Sequence, residues 1–340
     1  MSDNYHLDPA VKRATWLTVI VAISLFTIKY VAYHLTDSQA IFSEAMESIV
    51  NVFASIIAFF VILYSAKPAD RDHPYGHGKV EYLSAALEGG LIAFAAVVIV
   101  SEAIHAFYEK RPLRSLDIGL VLLGSTGLVN YSLGFYLNYI GKKKHSPALE
   151  ASGTHLMADF WTTVAVVGGL SLVWLTNIAW IDTLLAGLVG LHLIKEGYHL
   201  IKKSIDGLLD KEEDSIVNKI KELVNSHRMK GMLQVHHVRV MRSGKYHHID
   251  AHLVVPEFWT VEDAHDKTNE YERMLFKEYP FSGEFHFHID PCRKLYCQYC
   301  NLENCPVRLE PFKDFRDMSL SELTNTEEPD EVISQLDKDS

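Results

Sequence analysis

Long apolar runs separated by short polar segments fill the chain from residue 14 to about residue 201. Each run is close to the ~20 residues that an α-helix needs to cross the hydrocarbon core of a bilayer. The pattern therefore predicts six transmembrane helices, the last of which carries several polar residues. Their expected bounds are 14–34, 40–64, 83–107, 116–140, 148–174 and 180–201.

After residue 210 the pattern of apolar positions changes to that of a soluble α/β unit. Helical spacing and strand-like alternation follow one another in the order helix, strand, strand, helix, strand. These elements are expected at 216–224, 235–240, 249–255, 261–279 and 284–289.

The chain is therefore expected to have three parts. A membrane domain covers residues 1–205, an α/β domain covers 206–291, and a cysteine-containing segment covers 292–340. After Phe315 this last segment is rich in Asp, Glu and Ser, a composition typical of chains without fixed structure. The fold class is an α-helical membrane protein with six spans and a C-terminal α/β domain.

Charge excludes one class of partner and sets the orientation of the spans. The 340 residues carry a formal net charge of −11, and no basic stripe is present that would bind the phosphates of a nucleic acid. Lys and Arg are concentrated in the loops on one side of the predicted helices, which places both termini in the cytoplasm. The polar leader runs directly into a span-length apolar stretch, so no cleavable signal peptide is expected.

Two predicted spans each carry a pair of polar residues four positions apart, which places each pair on one face of its helix. Glu47 and Asn51 lie in the second span, and His155 and Asp159 lie in the fifth. Ionisable groups are costly inside a bilayer and persist where they face a cavity, an ion or a partner. Together the four side chains would form a tetrahedral site for a first-row divalent ion. The alternative is a set of hydrogen bonds that only positions the helices.

The loop between the second and third spans contains three further side chains of the metal-binding type. Asp70, His73 and His77 fall within eight residues, and the glycines and proline between them allow a sharply folded loop. From the chemistry alone this is a moderate signal, because loop histidines and aspartates are common.

The sequence from His73 to Glu81, His-Pro-Tyr-Gly-His-Gly-Lys-Val-Glu, together with the two intramembrane pairs, resembles the cation diffusion facilitator family. The resemblance covers about residues 10–291. It implies six spans, a cytoplasmic ferredoxin-like domain, a homodimer, and exchange of a divalent metal ion for protons rather than enzymatic catalysis.

The resemblance also implies where metal ions bind. The transport site would be built from Glu47, Asn51, His155 and Asp159, and a loop site from Asp70, His73 and His77. A dinuclear cytoplasmic site near the dimer interface would use His236, His252, His265, His288 and Asp290. The family usually has Asp at both positions of the second span, so Glu47 and the uncharged Asn51 depart from its pattern.

All four cysteines fall in one short stretch that is additional to the family pattern. They are Cys292, Cys297, Cys300 and Cys305. Four thiols so close together can bind Zn²⁺ or an iron–sulfur cluster, and the alternative is a set of free thiols. The expected cytoplasmic location argues against disulfides.

The function expected from these observations is efflux of a divalent metal ion in exchange for protons. Zn²⁺ and then Fe²⁺ are the leading ions, while Co²⁺, Cd²⁺ and Mn²⁺ remain open, and the location is a bacterial inner membrane. One alternative is a metal-responsive scaffold or heterodimer partner that transports poorly, motivated by Asn51. Another is a redox role for the cysteines.

Overall fold

The computed structural model describes residues 9–109, 113–144, 147–244 and 246–326. Its first unit consists of six long helices and ends at Leu208. In the described chain, all of these helices except the sixth are long and apolar enough to cross a membrane. The six are α1 (Pro9–Thr36), α2 (Gln39–Ser65), α3 (Val80–Glu109), α4 (Leu116–Lys144), α5 (Pro147–Thr176) and α6 (Trp180–Leu208).

Small residues allow the helices of this unit to approach closely, as is common in membrane bundles. A Cβ added to Gly197 on α6 would lie 2.8 Å from the carbonyl oxygen of Gly89 on α3. A Cβ added to Gly153 on α5 would lie 2.7 Å from the backbone nitrogen of Asn138 on α4. The α4–α5 contact therefore fixes α5 only two residues before His155.

The N-terminus of α2 is held by a buried carboxylate from the start of α6. Asp182 accepts a hydrogen bond from the Ser38 hydroxyl at 2.5 Å. It also accepts from the backbone N–H groups of Gln39 at 2.7 Å and Ala40 at 3.1 Å. A carboxylate here satisfies the unpaired N–H groups and complements the helix dipole, so α2 begins at a fixed position against α6.

The second unit, the α/β unit, begins at Leu209. Its three-stranded sheet has the order β1-β2-β3, in which β1 and β2 are antiparallel while β2 and β3 are parallel. The second helix of this unit provides the crossover between the parallel strands β2 and β3. The elements are α7 (Asp214–Ser226), β1 (Gln234–Ser243), β2 (Tyr246–Val255), α8 (Val261–Glu278) and β3 (Ser282–Pro291).

This arrangement confirms the expected element order. The helices pack on one face of the sheet, and Ile220, Ile249, Leu253, Tyr271 and Leu275 are among the least exposed residues of the core.

The chain continues through a 3₁₀ helix (Lys294–Tyr299) to a short helix, α9 (Leu320–Thr324). Sequence composition predicted no fixed structure after Phe315, and the structure differs for residues 316–326. Met318 and Leu323 lie in the core of the α/β unit. The side chain of Asn225 bonds to both the backbone N–H and the carbonyl of Met318, at 2.9 and 3.0 Å. Residues 327–340 of the expected disordered tail lie outside the described residues.

Candidate metal centres

Helices α2 and α5 bring together three of the four residues predicted for the membrane site. The Asn51 amide donates a hydrogen bond from Nδ2 to Asp159 Oδ2 at 2.9 Å. The Nε2 atom of His155 lies 3.3 Å from Asn51 Oδ1 and 3.6 Å from Asp159 Oδ1. Asp159 is buried. An amide, an imidazole and a carboxylate thus converge on one small volume between two helices.

Glu47 lies one turn before Asn51 on the same face of α2. It is buried, and its Oε2 atom has no hydrogen-bond partner within the described part of the chain. The Glu47 carboxylate interacts electrostatically with that of Asp159. An ionised, unpartnered carboxylate is costly to bury, and a cation held between these two groups would offset that cost.

A buried ion pair that was not predicted from the sequence adjoins this site. Lys29 Nζ on α1 lies 2.6 Å from Glu44 Oε2 on α2, with side-chain exposures of 2% and 0%. The same oxygen accepts a hydrogen bond from the Thr163 hydroxyl on α5 at 3.0 Å. Glu44 lies three positions before Glu47 on the same helix face. This spacing indicates, from the sequence alone, that Glu44 lies near the predicted site.

The pair reduces the negative charge that the site presents to an ion. Lys29 balances Glu44, which leaves the carboxylates of Glu47 and Asp159. Glu88 on α3 also interacts electrostatically with His155 and Asp159. His155 and Asn51 add neutral donor atoms. A divalent cation would therefore offset the negative charge of this site, in a medium where net charge is costly.

The loop between α2 and α3 holds its three predicted side chains in one group. Asp70 Oδ1 accepts the backbone N–H groups of Asp72 and His73 at 3.0 and 2.7 Å. His73 Nδ1 lies 3.2 Å from Asp70 Oδ1, and His77 Nε2 lies 3.5 Å from Oδ2. The hydrogen bond from the backbone of His73 lowers the pKa of Asp70. One ligand atom from each of Asp70, His73 and His77 falls within 4.8 Å of the others.

The α/β unit aligns a second group across its three strands. His236, His252 and His288 occupy facing positions on β1, β2 and β3. Asp290 Oδ2 lies 3.4 Å from His236 Nε2 and 2.9 Å from His252 Nδ1, and its Oδ1 lies 3.6 Å from His288 Nε2. Burial lowers the pKa of His236 to about 4, so this ring is neutral near pH 7 and free to bind a cation.

His265 stands apart from this group within one chain. It is exposed on α8, and its Nε2 bonds to the side chain of Asn269 at 2.9 Å. His237 stands beside His236 in the sequence but was not assigned to the predicted site, and in the structure it joins the group instead. The register shifts between His236 and Arg239, and His237 adopts a φ of 53°. This bulge places His237 Nδ1 3.2 Å from His252 Nε2. Simple strand alternation places the two neighbouring histidines on opposite faces.

The four cysteines are free thiols around one small cavity at the end of the α/β unit. Among the described residues, no three of their sulfur atoms lie within 4.8 Å of one another. The predicted residues are therefore neighbours, although they are not gathered at the spacing of a bound ion.

Comparison with known proteins gives a consistent result over most of the chain. Residues 15–209 match the model of the cation efflux transmembrane domain, and residues 213–292 match that of the cation efflux protein cytoplasmic domain. An uncharacterized transporter of Synechocystis sp. is 34% identical over 251 residues, covering 74% of this chain and 81% of its own.

Two further relatives carry the name cation-efflux pump FieF. The protein of Pectobacterium atrosepticum is 27% identical over 292 residues, covering 85% of this chain and 95% of its own. That of Yersinia pestis (strain Pestoides F) is 28% identical over 287 residues, covering 83% and 93%.

Proposed function

Because this chain belongs to the cation efflux family of transporters, we propose that it exports a divalent metal ion from the cytoplasm in exchange for protons. It is an integral membrane protein with a cytoplasmic C-terminal domain, and not an enzyme. The convergence of Asn51, His155 and Asp159 at the α2–α5 contact carries the proposal. The unpartnered oxygen of Glu47 supports it as the fourth donor.

Zn²⁺ is the best fit to this donor set, followed by Fe²⁺. Two carboxylates, one amide oxygen and one imidazole suit a borderline divalent ion in tetrahedral coordination. The absence of sulfur among these four side chains disfavours Cu(I). The negative charge left after Lys29 pairs with Glu44 favours a divalent over a monovalent cation.

Exchange for protons follows from competition at the same atoms. Carboxylate and imidazole ligands must be deprotonated before they bind a metal ion. Histidine is the side chain that titrates nearest to neutral pH, so His155 is the proposed proton carrier. Ion binding would replace the hydrogen bond between Asn51 and Asp159, and rocking of the helices would expose the site to the two sides in turn.

The cytoplasmic sites suit a sensing role rather than transport itself. We propose that two groups bind metal ions from the cytoplasm: the loop group (Asp70, His73 and His77) and the strand group (His236, His252, His288 and Asp290). We also propose that the α/β unit forms a homodimer. The bacterial origin of the relatives supports placement in the bacterial inner membrane.

Zinc uptake into proteoliposomes with an acidic lumen tests the transport proposal. Asp159→Ala removes a carboxylate from the site and is expected to abolish uptake. Asp117→Ala, at an exposed position in the first turn of α4, is the matched control and should transport like the wild type. Asn51→Asp adds a third carboxylate and should change the ranking among Zn²⁺, Fe²⁺ and Cd²⁺. Metal-dependent dimerisation without any flux would support the scaffold alternative instead.

A further inference from the structure

We propose that the four cysteines bind a single Zn²⁺ ion, which fastens the C-terminal segment (residues 292–326) to the α/β unit. The match to the cytoplasmic domain of the family ends at residue 292. The thiols that follow therefore lie in a part of the chain that neither family model covers. The proposal does not depend on which ion the membrane site transports.

The first support is the convergence of all four thiols on one cavity. Cys292, Cys297, Cys300 and Cys305 line a cavity of about 10 Å³, together with residues of the α/β unit that include Leu233. A volume of that size accommodates roughly one water-sized particle. This favours one metal ion over a cluster of several irons and sulfides.

The second support is the way the backbone is folded around the cavity. Cys297 lies in the 3₁₀ helix and Cys300 directly after it, and the N–H of Cys300 bonds to the carbonyl of Cys297 at 3.3 Å. The N–H of Leu309 donates to the sulfur of Cys297 at 3.4 Å. The N–H of Cys292 bonds to Val255 at the end of β2 at 2.7 Å. The thiols are thus carried by hydrogen-bonded backbone on both sides of the cavity.

The third support is the charge placed around the thiols. The Arg308 guanidinium donates to the carbonyls of Cys297, Cys300 and Leu302 at 3.1, 2.9 and 2.6 Å. Lys294, which is ion-paired with Glu257, also interacts electrostatically with Cys292 and Cys297. A zinc ion with four thiolates carries two net negative charges, and the Arg308 guanidinium lies where it would offset part of that charge.

Binding requires the sulfur atoms that line the cavity to move closer together. Four sulfurs at the usual Zn–S distance of about 2.3 Å are roughly 3.8 Å apart. No three sulfurs are within 4.8 Å here, so an ion would draw neighbouring thiols inwards. The domain is cytoplasmic, where thiols stay reduced and available as ligands.

The position of the segment gives the site a consequence for the rest of the α/β unit. Beyond Cys305 the chain places Met318 and Leu323 in the core. Helix α9 contacts β1, and the carbonyl of Asn325 accepts the N–H of His237 at 3.2 Å. β1 is an edge strand, and a covered edge is protected from pairing with other chains. The zinc ion would therefore hold residues 316–326 against the edge of β1, next to the histidines of the three strands.

Cobalt titration of the reduced, metal-free, full-length protein in detergent tests the proposal. We expect a Co²⁺ titration to produce intense thiolate-to-cobalt charge-transfer absorption that saturates at one thiolate-bound ion per chain, and Zn²⁺ should then remove it. Cys300→Ser should lose this absorption, and Cys305→Ser, at a half-buried position, serves if the first variant does not fold. His252→Ala is the matched control and should keep it, because it alters the histidine group only.

Hydrogen exchange of residues 316–326 provides a second measurement. Zn²⁺ should slow exchange there by about tenfold in the wild type and leave Cys300→Ser unchanged. No charge-transfer absorption at a Co²⁺ concentration that saturates every site of the chain would overturn the proposal, as would identical exchange in both proteins with and without Zn²⁺. Iron with labile sulfide in the anaerobically purified protein would also overturn it in favour of an iron–sulfur cluster.

Discussion

Lys29 is a full positive charge inside a membrane helix, and its place is explained by Glu44. The two side chains are buried and their charged atoms are 2.6 Å apart. Without Lys29, three carboxylates would face one another between α2 and α5. The ion pair thus allows Glu47 and Asp159 to remain available for a divalent ion.

Removing one partner of this pair should lower the stability of the protein far more than removing both. Lys29→Met leaves Glu44 buried and unpaired, which costs about 3–5 kcal/mol in comparable pairs. We expect a marked loss of thermal stability in detergent, and recovery of most of it in the double variant Lys29→Met with Glu44→Gln. A single variant as stable as the double variant would show that the pair does not set the charge balance.

At the scale of single residues, helical spacing carried most of the information about the membrane site. The i,i+4 pairs Glu47–Asn51 and His155–Asp159 could be recognised because polar residues in apolar runs stand out. The contact between the pairs depends on how α2 and α5 pack, which the spacing does not contain. The place of His237 in the strand group could not be predicted, because a bulge and not strand alternation turns it towards His252.

Glycine sets the distance between α4 and α5 immediately before His155. A side chain at Gly153 would meet the backbone of Asn138 and Gly134 within 3 Å. The helix must then shift, and His155 shifts with it. The geometry of the membrane site therefore depends on a residue that offers no ligand.

A pair of glycine substitutions on α5 separates this effect from a general loss of folding. Gly153→Leu should overpack the α4–α5 contact at a cost of about 1–3 kcal/mol and strongly reduce zinc uptake. Gly168→Leu is the control on the same helix, because a Cβ there meets nothing within 4 Å. Equal uptake by the two variants would refute a role for this contact in positioning His155.

Buried histidines should make the α/β unit sensitive to acid. Burial lowers the pKa of His247 from 6.5 to about 4, and its Nδ1 bonds to the Tyr279 hydroxyl at 2.7 Å. The unfolded chain takes up a proton as the pH falls below 6.5, while the folded unit does not. Stability is therefore complete above pH 6.5 and is lost progressively towards pH 4.

Hydrogen exchange in β2, corrected for the intrinsic effect of pH, measures this loss. The protection of β2 should fall between pH 6.5 and 4 in the wild type and fall less in His247→Gln. His286→Gln is the control, because the His286 side chain is 61% exposed. A pH profile that is the same for His247→Gln and the wild type would contradict the assignment.

At the scale of elements, the periodicity of apolar residues predicted six long helices and the α-β-β-α-β order, and both were confirmed. The ordered part of the C-terminal segment could not be found in this way. Met318, Leu320 and Leu323 are only three apolar residues in a strongly polar stretch, too few to define a period. The burial of Met318 and Leu323 depends on the groove offered by α7 and β1, which exists only once the unit has folded.

At the scale of the whole molecule, each unit carries its own candidate metal centre. The membrane unit holds the site between α2 and α5 and the loop group around Asp70, and the α/β unit holds the strand group around Asp290. The proposed transport site therefore shares no residue with the strand group that we propose as a sensor of cytoplasmic metal. The two roles can then be removed one at a time.

Zinc-dependent association of the full-length protein tests the sensing role. His252→Ala removes the proposed ligand on β2, between those on β1 and β3. It should raise the zinc concentration needed for dimerisation, which analytical ultracentrifugation in detergent measures. His265→Ala tests the predicted ligand that lies outside the strand group of one chain. If this variant also needs more zinc to dimerise, His265 contributes to a site that the second protomer completes. Dimerisation that does not depend on zinc in the wild type or in either variant would exclude a sensing role that acts through dimerisation.

One site between α2 and α5 is proposed to exchange a metal ion for protons. Lumenal zinc and lumenal pH can be followed at the same time in one preparation of proteoliposomes. When zinc is added to vesicles with an acidic lumen, zinc entry and a rise in lumenal pH should occur together, and Asp159→Ala should abolish both. Zinc entry that leaves lumenal pH unchanged, or that persists in Asp159→Ala, would refute the exchange.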